Sequence, residues 1–225
     1  MDREESGRGR VVVLNGGSSS GKTAIARRLQ ADLIGTWLVL GVDLFLWTLP
    51  SRLFSDPDGL AVAGGVISRG QEFRRLYIAF QRATTALADR GVDIVIDEVL
   101  LDGASDQRLW DSAFHDLDAC WVGVRCDAEI AAQREAQRGD RLAGAARVQA
   151  ESVHEGVRYD YEIDTSARDA DESARLVADH LRTRWPSLRS STSEAPYEYP
   201  LTSAWNEGGA VRPAPWERRP PPELE

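Results

Sequence analysis

Lysine is almost missing from this chain. Of the 27 residues counted as Lys plus Arg, one is lysine, Lys22, and the rest are arginine. Cysteine is nearly as scarce. Cys120 and Cys126 are the two present; they flank one expected strand, and six extended residues separate them by roughly 20 Å, too far for a disulfide. They read as small core residues of a reducing cytoplasm. His115, His154 and His180 have no metal-ligand spacing with the cysteines. No apolar run approaches a membrane span, and residues 1–9 are polar and charged, so neither a membrane helix nor a signal peptide is expected. A net charge of −9 with no long basic stripe argues against a nucleic-acid partner.

What is present begins with the surroundings of that lysine. Gly16, Gly17, Ser18, Ser19, Ser20, Gly21, Lys22 and Thr23 fit G-x-x-x-x-G-K-[ST] at every position. A compact, flexible ammonium reaches between phosphates where the planar fork of arginine is a poor substitute. Before the motif, Arg10 to Asn15 is a β-branched run that predicts a buried strand. After it, Ile25, Ala26, Leu29 and Leu33 predict one face of a helix. Strand, glycine-rich loop and helix together form a phosphate-binding loop, with N–H groups turned inward and a helix N-terminus behind them. Lys22 is expected to bridge the β- and γ-phosphates of a nucleoside triphosphate, and Thr23 to hold Mg²⁺. With Lys22 committed there, no lysine remains for the N-K-x-D pattern that reads guanine, so ATP is the expected donor.

The rest of the chain alternates strand and helix. Strands are expected at 36–42, 92–96, 119–125 and 161–163. Helices are expected at 45–50, 71–90 (closed by Gly91), 105–114, 128–137, 143–154 and 171–184. Residues 55–70, with Gly64-Gly65 and Gly70, read as a loop-rich insertion. Five strands joined by helices imply an α/β fold with a parallel sheet covered on both faces. Hydrophobic content of 42% suffices for a core. Eight of the ten prolines lie from Pro186 onward, so residues 1–185 read as one domain and 186–225 as an extended or disordered tail, with Trp205 and Trp216 suited to docking. A homo-oligomer is compatible with this composition.

Three groups extend the phosphate loop into a site. Asp43 ends the second strand, on the edge where open parallel sheets bind ligands. It can take a proton from an attacking hydroxyl or cap the following helix. Asp97 ends an apolar strand, a Walker B arrangement for Mg²⁺, directly or through water; Glu98 could contact substrate or cap the next segment. Arg134, Arg138, Arg141 and Arg147 cluster around a break at Gly139-Asp140. They read as a hinged lid over residues 134–147 that clamps the transferring phosphoryl group, or as a solvated face paired with Glu135 and Asp140. The need for a positive source besides Lys22 favours the lid.

Leu14-Asn-Gly-Gly-Ser-Ser-Ser-Gly-Lys-Thr23, Gly41-Val-Asp43, Ile96-Asp-Glu-Val99, Trp121-Val-Gly-Val-Arg-Cys-Asp127, Arg138-Gly-Asp-Arg141 and Val153-His-Glu-Gly156 together resemble the chloramphenicol phosphotransferases over residues 10–185. The resemblance implies a P-loop kinase-like sheet in 2-3-1-4-5 order and transfer from ATP to the primary hydroxyl of chloramphenicol. It also implies Asp43 as base and Arg134 to Arg141 as lid. The chain departs from the family pattern at Ser20-Gly-Lys-Thr23 (Ala-Gly-Lys-Ser in the family), at Asp97-Glu98 (Asp-Asp in the family) and across 52–70. That insertion is expected to line the acceptor pocket with Phe45, Trp47 and Phe54, a wall that suits a small apolar alcohol. A kinase for another metabolite, and an ATP-binding interaction protein working through its tail, are the competing readings.

Overall fold

The computed structural model describes residues 7–54, 56–63, 66–138 and 144–189. Five strands form one parallel sheet: β1 (Val11–Asn15), β2 (Trp37–Gly41), β5 (Asp93–Glu98), β6 (Ala119–Arg125) and β7 (Tyr161–Asp164). Their spatial order is β2-β5-β1-β6-β7. Numbered among themselves, they stand in the expected 2-3-1-4-5 order. The helices are α1 (Lys22–Asp32), α2 (Val42–Thr48), α3 (Gln71–Asp89), α4 (Ala104–Phe114), α5 (Ala128–Arg138), α6 (Ala145–Ser152) and α7 (Ala170–Arg184).

Strand periodicity divides the core. Val12, Leu14 and Val95 point to one face, against Ile25 and Leu29 of α1 and Val177 and Leu181 of α7. Val11, Val13, Ile94 and Ile96 point to the other, against Phe73 and Tyr77 of α3 and Trp110 and Phe114 of α4. β1 and β5 are buried at every position, as a sheet covered on both faces requires. The expected closure of α3 is present: Gly91, at φ 86°, donates its N–H to Ala88 O at 2.9 Å, a backbone conformation that glycine adopts freely.

Two expectations need correction. The insertion read as loop contains a hairpin, β3 (Leu60–Ala63) paired antiparallel with β4 (Val66–Arg69). Its ladder satisfies backbone groups that a loop would leave to water. The domain also runs past residue 185, through a 3₁₀ turn at Pro186–Arg189 that buries Leu188 among the α1 and α7 side chains. The expected tail from residue 190, with Trp205 and Trp216, lies outside the described residues, as do Gly139 to Ala143.

Candidate active site

Because the five strands are parallel, all their C-terminal ends lie on one edge, where ligands bind in such sheets. β1 runs out at Asn15 and the chain turns into the expected loop before α1. Ser19, at φ 58°, and Gly21, at φ 92°, take the left-handed conformation that brings successive N–H groups round on one another. Three loop amides are taken up by the protein. Gly16 N donates to Glu98 O at 3.4 Å, Ser20 N to Gly17 O at 3.3 Å, and Ser18 N to Gln149 Oε1 at 2.8 Å. The first-turn amides of α1 have no intrahelical acceptor by geometry. They form a donor surface for an anion, aided by the helix N-terminus.

Lys22 is buried; its Nζ lies 3.3 Å from Gly17 O and 3.8 Å from Asp97 Oδ1. Asp97 is set beside it by register, pairing with Leu14 of β1 and Gly41 of β2. Thr23 Oγ1 donates to Asp97 Oδ2 at 2.5 Å, while Asp97 Oδ1 is buried without a hydrogen-bond partner. An orphaned carboxylate oxygen beside a threonine hydroxyl is a hard donor set that fits Mg²⁺. Among the described residues no cluster of three His, Cys, Asp or Glu could hold a metal by itself. Mg²⁺ sites completed by substrate phosphates need no such cluster.

Asp43 lies in the first turn of α2, whose N-cap is Gly41. The capping alternative for Asp43 is therefore not the arrangement found. Gly41 permits the placement by close approach: a Cβ there would stand 2.1 Å from Asp97 O. Asp43 is thus two residues past the strand position that pairs with Asp97.

Other expected residues lie elsewhere. Phe45, expected on the acceptor wall, is 4% exposed and packs against Phe73, Tyr77 and Phe80 with ring centroids 5.2–5.6 Å away. Its helical position points it into the aromatic core. Glu98, expected to reach substrate, is 1% exposed; it accepts from the Tyr77 hydroxyl and from Val99 N at 2.8 Å. Burial pushes its carboxyl up to about 7. Trp47 is exposed on α2, and Phe54 packs part-buried beside the aromatic core.

Among the arginines, Arg134 donates to Thr165 O at 2.7 Å and Thr165 Oγ1 at 3.3 Å. With Ser19, Gly21, Ala24, Thr165 and Arg168 it lines a cleft of about 330 Å³ beside α1. Arg147 is paired on the surface with Glu129, the solvated-face arrangement for that residue. Arg141 and the Arg138 side chain lie outside the described residues.

Three contributors were not anticipated. Gln149 reaches the loop from α6, and Glu135 of α5 accepts from Gly144 N at 2.8 Å and Ala146 N at 2.9 Å, capping α6. Asn15 ties three loops together: its Nδ2 donates to Val153 O at 2.8 Å and to the Tyr159 hydroxyl at 2.6 Å, and its Oδ1 accepts from Leu100 N at 3.0 Å.

The sequence pattern described as chloramphenicol phosphotransferase-like protein matches residues 9–182. The chain belongs to that family. Relatives from two strains of Mycobacterium tuberculosis, carrying the provisional name O-phosphotransferase, are each 33% identical over 184 residues, 74% of this chain and 80% of theirs. Among solved structures, a Janibacter sugar kinase superposes with a TM-score of 0.59 at 19% identity, covering 81% of this chain and 99% of that one. The Mycobacterium tuberculosis APS kinase in complex with AMPPNP and APS gives 0.55 at 20% identity, covering 78% and 98%. These likenesses establish a P-loop kinase fold. Among the described residues, no helix of this family member is long and apolar enough to cross a membrane.

Proposed function

We propose that this chain is an ATP-dependent O-phosphotransferase that moves the γ-phosphoryl group to a hydroxyl of a small antibiotic-like molecule, with the primary hydroxyl of chloramphenicol as the leading acceptor. The observation that carries the reading is that Lys22 and Thr23, at the start of α1, meet Asp97 at the C-terminal end of its strand, with Asp43 two residues past the neighbouring strand position that pairs with Asp97.

Loop and first-turn amides bind the phosphates, and the purine occupies the cleft between Ala24, Arg134 and Arg168. Thr23 and Asp97 would hold Mg²⁺, which when bound would neutralise charge on the phosphates. Asp43 orients the acceptor hydroxyl and takes its proton as the new P–O bond forms and the bond to the ADP oxygen breaks. Lys22 stabilises the charge that develops on the transferring group, with Arg134, Arg138 and Arg141 as further positive sources. Trp47 and Phe54 border the acceptor, whereas Phe45 and Glu98 lie in the interior. That interior placement favours a second reading, a P-loop kinase for another small alcohol, because fewer of the expected wall residues contact the acceptor.

The test is mass spectrometry after incubation with ATP, Mg²⁺ and chloramphenicol. A product heavier by one phosphoryl group is expected, with Lys22→Ala lowering its rate by about 10²–10³-fold or more. Intact chloramphenicol alongside ATP binding would transfer the assignment to another alcohol, and equal rates in Lys22→Ala would end the mechanism.

A further inference from the structure

The phosphate loop is held from outside by Glu98 O, Gln149 and Thr165, and the last two supports lead to neighbouring residues of α5. Ser18 N donates to Gln149 Oε1 at 2.8 Å. Gln149 sits on α6, whose first amides are capped by Glu135 of α5. Ser20 O accepts from Thr165 Oγ1 at 2.7 Å, and Thr165 in turn accepts from Arg134 of α5. Gln149 is 6% exposed. Its backbone closes on the loop as well: a Cβ on Gly17 would lie 3.1 Å from Gln149 C and Cβ. The far end of α6 is fixed by Asn15 Nδ2 on Val153 O at 2.8 Å. A carboxamide oxygen 131 residues away in sequence thus does for Ser18 what Glu98 O and Gly17 O do for Gly16 and Ser20.

We propose that Gln149 is a positioning residue of the phosphate loop, holding Ser18 so that the amides of Ser19, Gly21, Lys22 and Thr23 are left to bind the nucleotide's phosphates, and that it links α5 to the loop through α6. The inference rests on the nucleotide reading above. A neutral acceptor is required at this point. A carboxylate would accept the same N–H, but it would place negative charge beside the anion the loop gathers. Without any acceptor, the part-buried Ser18 N–H loses its partner and the loop shifts to satisfy it.

The test measures ATP dissociation constants by calorimetry, with no acceptor present, and amide hydrogen exchange at Ser18 in the free protein. Gln149→Leu is expected to weaken ATP about tenfold and to speed Ser18 exchange by a similar factor. Gln149→Glu is expected to restore slow exchange but not ATP affinity, a split that simple packing would not produce. Should Gln149→Leu fail to fold, the Glu variant decides by that same split. ATP affinity within twofold of wild type in either variant overturns the proposal while leaving the nucleotide reading intact, provided Lys22→Ala loses ATP. Wild-type protein that binds no ATP, or Lys22→Ala that binds it equally well, overturns the nucleotide reading and this proposal with it.

Discussion

On one side of the sheet, α1 and α7 cover Val12, Leu14 and Val95 with aliphatic side chains such as Ile25, Leu29, Val177 and Leu181. On the other, α2, α3 and α4 cover Val11, Val13, Ile94 and Ile96 with a train of rings. It runs from Phe45 through Tyr77, Trp110 and Phe114 to Trp121, each centroid 5.2–6.3 Å from the next. The aliphatic side includes α1, the helix that follows the phosphate loop. Branched side chains pack closely there, with the Trp37–Trp185 pair at the margin and Ser173 Oγ as a buried hydroxyl without a hydrogen-bond partner. The aromatic side carries buried polar groups as well: Glu98 against Tyr77, and Gln81 Nε2, Thr84 Oγ1 and Trp110 Nε1 without hydrogen-bond partners. From that side α2 projects Asp43 to the sheet edge. On the proposed function, the triphosphate would be met mainly by local backbone amides, and the acceptor by side chains of other segments such as Asp43 and Trp47.

The comparison breaks most sharply at Asp43. Asp43→Asn should lower phosphoryl transfer by about 10²–10⁴-fold while leaving ATP binding within about twofold. Quench-flow turnover and calorimetry read the two quantities separately. Equal losses in both would mean that the two sides do not divide the labour in this way. Next in size is packing. Trp110, fully buried at the centre of the ring train, should cost about 3–5 kcal/mol of stability as Trp110→Ala, against roughly 2–5 kcal/mol for Leu29→Ala on the aliphatic side. Urea unfolding midpoints compare them, and a smaller cost at Trp110 would show that the orphaned polar atoms leave the aromatic side loosely packed.

The smallest effect separates the sides by pH. Glu98 holds its proton to about pH 7, against an ordinary value near 4.5, because burial disfavours its charge. The folded chain therefore binds more protons than the unfolded chain across that window, and stability falls as pH rises through it. Wild type should lose roughly 1–3 kcal/mol between pH 5 and pH 8 from this group. Glu98→Gln should remove that slope and be the more stable relative to wild type at pH 8. An unchanged slope in the variant would assign it to another group.

Legibility followed sequence distance. The phosphate loop was readable because G-x-x-x-x-G-K-[ST] acts within eight consecutive residues, where backbone angles and one ammonium decide the geometry. The positions of Asp97 and Asp43 near the strand ends were readable because an apolar run precedes each of them. The hairpin at Leu60–Arg69 was hidden because its strands are short and glycine-flanked, and pairing rather than pattern holds them. Glu98 and Phe45 were assigned to the acceptor on position along the chain. Their directions were set instead by Tyr77 and by the rings of α3 and α4, which no local pattern announces.

By itself, then, the sequence determined the alternating strands and helices, the order of the sheet by family likeness, and the phosphate loop. These depend on hydrophobic period and on neighbours a few residues apart. The tertiary structure decided that Glu98 stays buried on Tyr77. It also decided that Arg134 turns to Thr165 and that Gln149 closes on Ser18. Those outcomes depend on side chains brought together across 31 and 131 residues. At such separations burial and hydrogen-bond satisfaction, rather than local propensity, select the partner.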